Sequence, residues 1–202
     1  VKKTSWDEVR FALASRSPLR VKDVVSARAA VAVVLREGPA GFEILFIRRA
    51  EAEGDPWSGH MGFPGGRAEK DEELGATAMR ETLEETGIDL AAHGEPLGAL
   101  DEVRAMARMQ ALDLAITPFV FRFQGPAEFL PNPEVASLHW LPFDELRGPA
   151  HESTMEYVHQ GVTARFPCLR YDGLVIWGLT YRMFTSFREL LDQAAAGLAF
   201  AR

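Results

Sequence analysis

Two largely apolar, β-branched stretches, Ala27–Arg36 and Phe42–Arg49, are parted by the turn-forming run Glu37-Gly38-Pro39-Ala40-Gly41. This pattern predicts two adjacent strands. Ahead of them, Thr4-Ser5-Trp6-Asp7-Glu8 sets a capping hydroxyl before first-turn acids, which predicts a helix over about residues 4–15. Residues 51–66 are rich in Gly, Pro and acids and read as a long loop, more often functional than idle at that length. Residues 71–86 read as a helix capped by Asp71, with Glu72 and Glu73 in its first turn and Gly87 at its end. Short strands are expected at 96–100, 117–123 and 138–141, and a last strand at Tyr171–Trp177. Residues 103–112 read as a loop or a helical insertion. An amphipathic helix is expected over about 179–195. The sequence shows no repeats, low-complexity tract or linker, and strands interleave with helices. That organisation predicts a single α/β layered domain spanning residues 1–202.

Composition narrows the function. With 202 residues, 47% hydrophobic and 10% aromatic, the chain can bury a sizeable core. A formal net charge of -7 argues against nucleic acid or an anionic membrane as partner. An anionic substrate then requires something positive between it and the protein. Cys168 is the only cysteine, which excludes an intramolecular disulfide and multi-Cys zinc sites, and it reads as a buried spectator thiol. No apolar region follows the basic residues of the first ten positions, so they do not read as a secretory signal. The longest apolar run, residues 29–35, is too short to span a bilayer. The simplest expected location is the cytoplasm.

The candidate chemistry lies in Arg80-Glu81-Thr82-Leu83-Glu84-Glu85-Thr86-Gly87. Glu81, Glu84 and Glu85 are spaced i, i+3 and i+4, so they converge on one side of a helix. They do so near its C-terminus, where the dipole opposes negative charge by roughly several tenths of a kcal/mol per interaction. Divalent cations reverse that sign, and an all-oxygen donor set suits Mg²⁺ or Mn²⁺ rather than zinc. Phe63-Pro64-Gly65-Gly66 forms a turn able to bring a bare backbone carbonyl to the same place. A solvated charged face is the alternative for such an acid run.

The full spacing runs from Gly66 through Glu72 to Arg80, Glu81, Glu84, Glu85 and Gly87, and it closely resembles the Nudix box of the Nudix hydrolases, over residues 66–88. Seven fixed positions agree, a coincidence on the order of 10⁻⁹ per register at roughly 6% usage per residue type. The one departure is Thr82, where an aliphatic residue is usual. The resemblance implies an α/β/α sandwich with a mixed β-sheet and a hydrolase cleaving a diphosphate linked to a nucleoside or similar moiety, using water and Mg²⁺ or Mn²⁺. It also implies roles. Glu81 and Glu85 are metal ligands, Glu84 is a ligand or holds water, and the Gly65 carbonyl completes a shell. Arg80 orients Glu81, and Glu72 supports the loop. Glu134 stands where family members often carry a functional acid, as ligand or base, the alternative being a loop acid that fixes the turn. Asp101 and Glu102 are weaker candidates.

Outside the box, Leu45-Phe46-Ile47-Arg48-Arg49, Gly62-Phe63-Pro64-Gly65-Gly66, Thr77-Ala78-Met79-Arg80-Glu81-Thr82 and Ile176-Trp177-Gly178-Leu179-Thr180 are similar to the coenzyme A pyrophosphatase branch. The resemblance covers about residues 31–183. It makes Arg49 a candidate phosphate contact, with a surface arginine as the alternative. Trp57 and His60, around Gly59, stand where that branch usually has His and Gln. Trp57 reads as a base-stacking ring or a loop anchor, and His60 as a structural hydrogen-bond partner, a base or a phosphate contact. The expected partner is a small-molecule diphosphate, coenzyme A-like or broader: ADP-ribose, a dinucleotide or a nucleoside triphosphate. A non-catalytic nucleotide-binding module of the same fold is the reading from another class. Homodimers are common in the family, and the apolar segment 194–201 offers either a dimer surface or a packed helix end.

Overall fold

The computed structural model describes residues 3–54, 57–107, 110–126, 130 and 132–200. The first helix, α1, runs Trp6–Ala14, and Ser5 caps it by accepting from the Glu8 N–H at 3.2 Å. One mixed sheet follows, made of β1 (Ala27–Glu37), β2 (Phe42–Arg49), β3 (Met61–Gly62), β4 (Gly65–Arg67), β5 (Gly94–Ala99), β6 (Val103–Ala107), β7 (Gln110–Phe123) and β8 (Val135–Pro142). Its path is β3-β2-β1-β7-β5, with β4 also on β1, β6 on β7 and β8 on β2. The β1–β7 pair is parallel and the other pairs are antiparallel.

The apolar runs that predicted β1 and β2 are near-continuous because both faces of these strands are covered. In β1, Ala29, Val33 and Leu35 pack with α1, with α4 (Phe143–Arg147) and with the C-terminal helix α5 (Gly178–Phe200). Ala30, Ala32 and Val34 pack on the other face with Ala78 of α2 (Leu74–Thr86) and Leu90 of α3 (Leu90–His93). The result is the α/β/α arrangement. Cys168 is fully buried.

β1 changes partner along its length, and that change positions the site. Residues 35–37 bond β2, whereas residues 29–31 bond β4, with the Ala32 N–H donating to Pro64 O at 2.8 Å between them. Gly65 has φ 153°, and a Cβ there would sit 2.3 Å from Ala30 O, so only glycine fits this crossing.

Several elements differ from expectation. Helix α2 begins at Leu74, with Glu73 rather than Asp71 at its N-cap, while Asp71 takes a left-handed φ of 62°. Glu72 is drawn out of the first turn because charged hydrogen bonds from Arg80 outweigh the weak dipole term available there. The described residues of 103–112 are strand and not loop or helix: β6 pairs antiparallel with the start of β7, and residues 108 and 109 lie outside the described set. The expected last strand is a hairpin, β10 (Val162–Tyr171) and β11 (Leu174–Trp177), joined at Asp172-Gly173. Both turn residues have positive φ, as a tight two-residue hairpin loop demands. Together with β9 (Glu152–His159) these strands make a separate three-stranded antiparallel sheet. Helix α5 continues past residue 195 to Phe200; the side chains of 198–200 and residue 201 of the candidate dimer segment lie outside the described set.

Candidate active site

The acid cluster sits where α2 crosses the β4 glycines. Glu85 is 3% exposed and accepts the Gly65 N–H at 2.8 Å. Glu81 packs so closely on Gly66 that a Cβ there would lie 2.4–2.5 Å from its carboxylate. Arg80 holds the group from behind. Its Nη1 donates to Glu81 at 2.9 Å and Glu84 at 3.2 Å, its Nε and Nη2 donate to Glu72, and Nη2 also reaches Arg67 O. Glu72 in turn accepts from the Glu69 N–H and from Thr77 Oγ1. Glu84 stays more than half exposed. Gly87, in the left-handed region at φ 76°, ends the helix with its N–H on Leu83 O. Thr82 is fully buried and satisfies its hydroxyl on Ala78 O at 2.7 Å, so the polar departure from an aliphatic leaves no orphan group.

These positions separate the acids electrostatically. Burial pushes the Glu85 carboxyl up to about 7, against the Gly65 N–H and Arg49 that lower it, while Glu81 and Glu134 raise it further. Burial also raises Glu81, opposed by Arg80 and reinforced by Glu84 and Glu134. Glu72 is held down to about 2, chiefly by the Arg80 hydrogen bond. Glu81, Glu85 and Glu134 therefore repel one another at close quarters, and protons or cations relieve the repulsion.

A cavity of about 710 Å³ opens over this cluster. Arg49, Trp57, His60, Gly65, Glu81, Glu84, Glu85 and Glu134 all line it, so the sequence candidates from outside the helix converge with those on it. Arg49 lies 3.8 Å from Glu85. Glu134 is positioned by its own N–H on Asn132 Oδ1 and by its carbonyl on the Ala50 N–H. Trp57 donates Nε1 to Met106 O at 3.2 Å, tying the long loop to β6, and His60 packs on Trp177 with ring centroids 4.8 Å apart. Asp101 and Glu102 do not line the cavity. Asp101 accepts from Arg16 and the Leu19 N–H; Glu102 accepts from the Val21 N–H, Arg28 and Thr117, anchoring the segment that follows α1. Arg67, Arg182, Tyr157 and Phe166 line the cavity and escaped the sequence reading. Arg67 directly follows the box glycine and Arg182 lies one turn into α5, but Tyr157 and Phe166 depend on a sheet the pattern did not reveal.

The donor chemistry fits a hard divalent cation: crowded carboxylates with raised proton affinity, next to a glycine whose missing side chain lets Glu81 approach. Among the described residues no three His, Cys, Asp or Glu side chains are already drawn into a closed cage. Arg80 and the Gly65 N–H hold Glu81 Oε1, Glu84 Oε2 and Glu85 Oε2.

The α/β/α sandwich brings its glycine loop and acid helix together at the cavity, and sequence comparison identifies the family. A profile of the NUDIX domain matches residues 26–165, more than half of the chain. The chain belongs to the Nudix hydrolase family. An uncharacterized Nudix hydrolase, NudL, of Yersinia pestis is 29% identical over 167 residues, covering 82% of this chain and 77% of that one. An uncharacterized protein of Schizosaccharomyces pombe is 38% identical over 117 residues, covering 56% of this chain but only 36% of that protein. In fold, a MutT/nudix family protein from Enterococcus faecalis superposes with a TM-score of 0.53 at 16% identity, covering 94% of this chain and 70% of that one. No described helix is long and apolar enough to cross a membrane.

Proposed function

We infer that the chain is a diphosphatase that uses Mg²⁺ or Mn²⁺ to hydrolyse nucleoside-diphosphate-linked substrates, coenzyme A-like molecules among them. One observation carries this reading: four carboxylates, Glu81, Glu84, Glu85 and Glu134, crowd one end of a cavity large enough for a substituted diphosphate. Glu81, Glu84, Glu85 and the Gly65 carbonyl are the groups to hold the cation. Such an ion supplies charge neutralisation for the diphosphate and a lowered pKa for water.

The remaining work belongs to the chain's own residues. Arg80 is a positioning residue that fixes the Glu81 carboxylate through Nη1, and Glu72 fixes Arg80. Arg49, at the cavity wall, binds a phosphate oxygen of the substrate. Glu134 faces the same space from a turn of its own and accepts the proton of the attacking water.

Cleavage of coenzyme A, ADP-ribose, a dinucleoside polyphosphate and nucleoside triphosphates, each with Mg²⁺ and with Mn²⁺, tests the reading. Highest kcat/KM on coenzyme A supports that branch, and highest kcat/KM on ADP-ribose or dinucleotides supports the broader reading. Measurable nucleotide binding without turnover of any of them overturns catalysis in favour of a binding module.

A further inference from the structure

Among the described residues that line the cavity, Glu134 is the acid that stands off α2. It is exposed, and no hydrogen bond or ion pair among the described residues holds its carboxylate. Glu81 and Glu85 repel it, as the rise it causes in their proton affinity records. Left to itself, such a side chain turns toward solvent and away from the other acids. Its direction into the cavity is therefore set by its backbone.

Both backbone groups of Glu134 are fixed. Its N–H donates to Asn132 Oδ1 at 2.9 Å, and its carbonyl accepts the Ala50 N–H at 2.7 Å. The sequence explains the first bond. In Asn132-Pro133-Glu134-Val135 the proline has no N–H, so the first donor ahead of the Asn132 side chain is that of Glu134. Pro133 also takes the second position of a turn closed by the Val135 N–H on Asn132 O at 3.2 Å, a place its fixed φ suits. The second bond follows from a slip in the ladder between β2 and β8. Arg48 pairs with Ser137 but Arg49 with Val135, so Ala136 is an extra residue and Glu134 comes level with Ala50. In an unbroken register Val135 would meet Ala50 instead. Asn132 itself lines the cavity beside the acid it holds.

We propose that Asn132 is a positioning residue of the hydrolysis: its side-chain carbonyl closes the turn that aims the Glu134 carboxylate at the attacking water. The Ala50 contact ties the turn to the sheet, and the Asn132 contact fixes the peptide plane that enters Glu134. This rests on the diphosphatase reading, with Glu134 as the proton acceptor.

The test measures kcat and KM at saturating Mg²⁺ on the best-cleaved diphosphate of the substrate panel. It compares wild type, Asn132→Ala, Asn132→Asp, Glu134→Gln and the double variant Asn132→Ala/Glu134→Gln. Alanine removes the acceptor and aspartate keeps it. In Asn132→Ala, kcat is expected to fall about tenfold (about 1.4 kcal/mol) with KM unchanged. In Asn132→Asp it is expected to stay within about threefold of wild type. In the Glu134→Gln background, Asn132→Ala should cost nothing further, because the group it aims is already gone. A further loss of about tenfold there marks a folding defect or another role and overturns the proposal, as does an aspartate variant as slow as alanine. Water exchange of the Glu134 amide, read by NMR, separates this proposal from the function it rests on. It is expected to be slow in wild type and Asn132→Asp and fast in Asn132→Ala. That pattern with no diphosphate cleaved overturns the diphosphatase and leaves the turn as structure alone. Cleavage with a freely exchanging wild-type amide overturns the positioning role and leaves the diphosphatase.

Discussion

Replacing Glu85 by glutamine separates the charge of this residue from its packing. The wild-type carboxyl is nearly inaccessible and titrates at about 7 instead of 4.5, because burial penalises its ionised form. The folded protein thus holds this proton more tightly than the unfolded chain does. The stability it contributes is complete below pH 4.5 and is lost as pH rises through 7. At about 1.36 kcal/mol per pH unit, the whole loss is roughly 3 kcal/mol for the metal-free protein. Glutamine keeps the size and still accepts the Gly65 N–H, but it has no charge to bury. In EDTA the variant should therefore match wild type near pH 5 and melt higher at pH 8, by about 6 °C or more at roughly 2–4 °C per kcal/mol. Saturating Mg²⁺ narrows the gap: wild type gains roughly 3 kcal/mol at a hundred times Kd, the variant gains less, and its kcat collapses. Thermal melts across pH 5–8, with EDTA and with Mg²⁺, read this directly. A Glu85→Gln protein that melts at or below wild type at pH 8 in EDTA would refute burial of an uncompensated charge as the organising feature of the site.

Three further outcomes are expected. Gly66→Ala places a Cβ 2.4–2.5 Å from the Glu81 carboxylate, displacing it by about an ångström; kcat should drop roughly 100-fold while the circular dichroism spectrum is kept. Arg80→Lys cannot reproduce the fork that joins Glu72, Glu81 and Glu84. Its kcat or its Mg²⁺ affinity should fall roughly 10- to 100-fold in steady-state assays at varied Mg²⁺, with substrate KM little altered. Glu134→Gln should lower kcat roughly 100-fold or more at saturating Mg²⁺; a kcat within about threefold of wild type would relegate Glu134 to fixing its turn.

Where expectation and structure diverged, the cause is traceable to particular contacts. Asp71-Glu72-Glu73 has the composition of a helix start, yet Arg80, eight residues on, recruits Glu72 and shifts the start to Leu74. Asp101 and Glu102 follow a strand as catalytic acids often do, but apart from Thr117 their partners lie more than seventy residues earlier, in Arg16, Leu19, Val21 and Arg28, and serve the fold. The small sheet escaped because Gln160-Gly161 and Asp172-Gly173 hide hairpins in segments with weak hydrophobic alternation.

Short-range regularities were legible from residues alone. Apolar runs covered on both faces announced the central strands, the i, i+3, i+4 spacing put three acids on one helix side, and a glycine free to adopt positive φ ended that helix. Each of these depends on period and local sterics, which travel with the chain. What folding alone decided is the inequality among the acids. Glu84 faces solvent while its neighbour Glu85 is sealed against a backbone N–H twenty residues away, and a sheet from beyond residue 150 closes the cavity above them. Solvation and proximity set proton affinity and substrate reach, and both belong to the three-dimensional neighbourhood of a residue rather than to its place in the sequence.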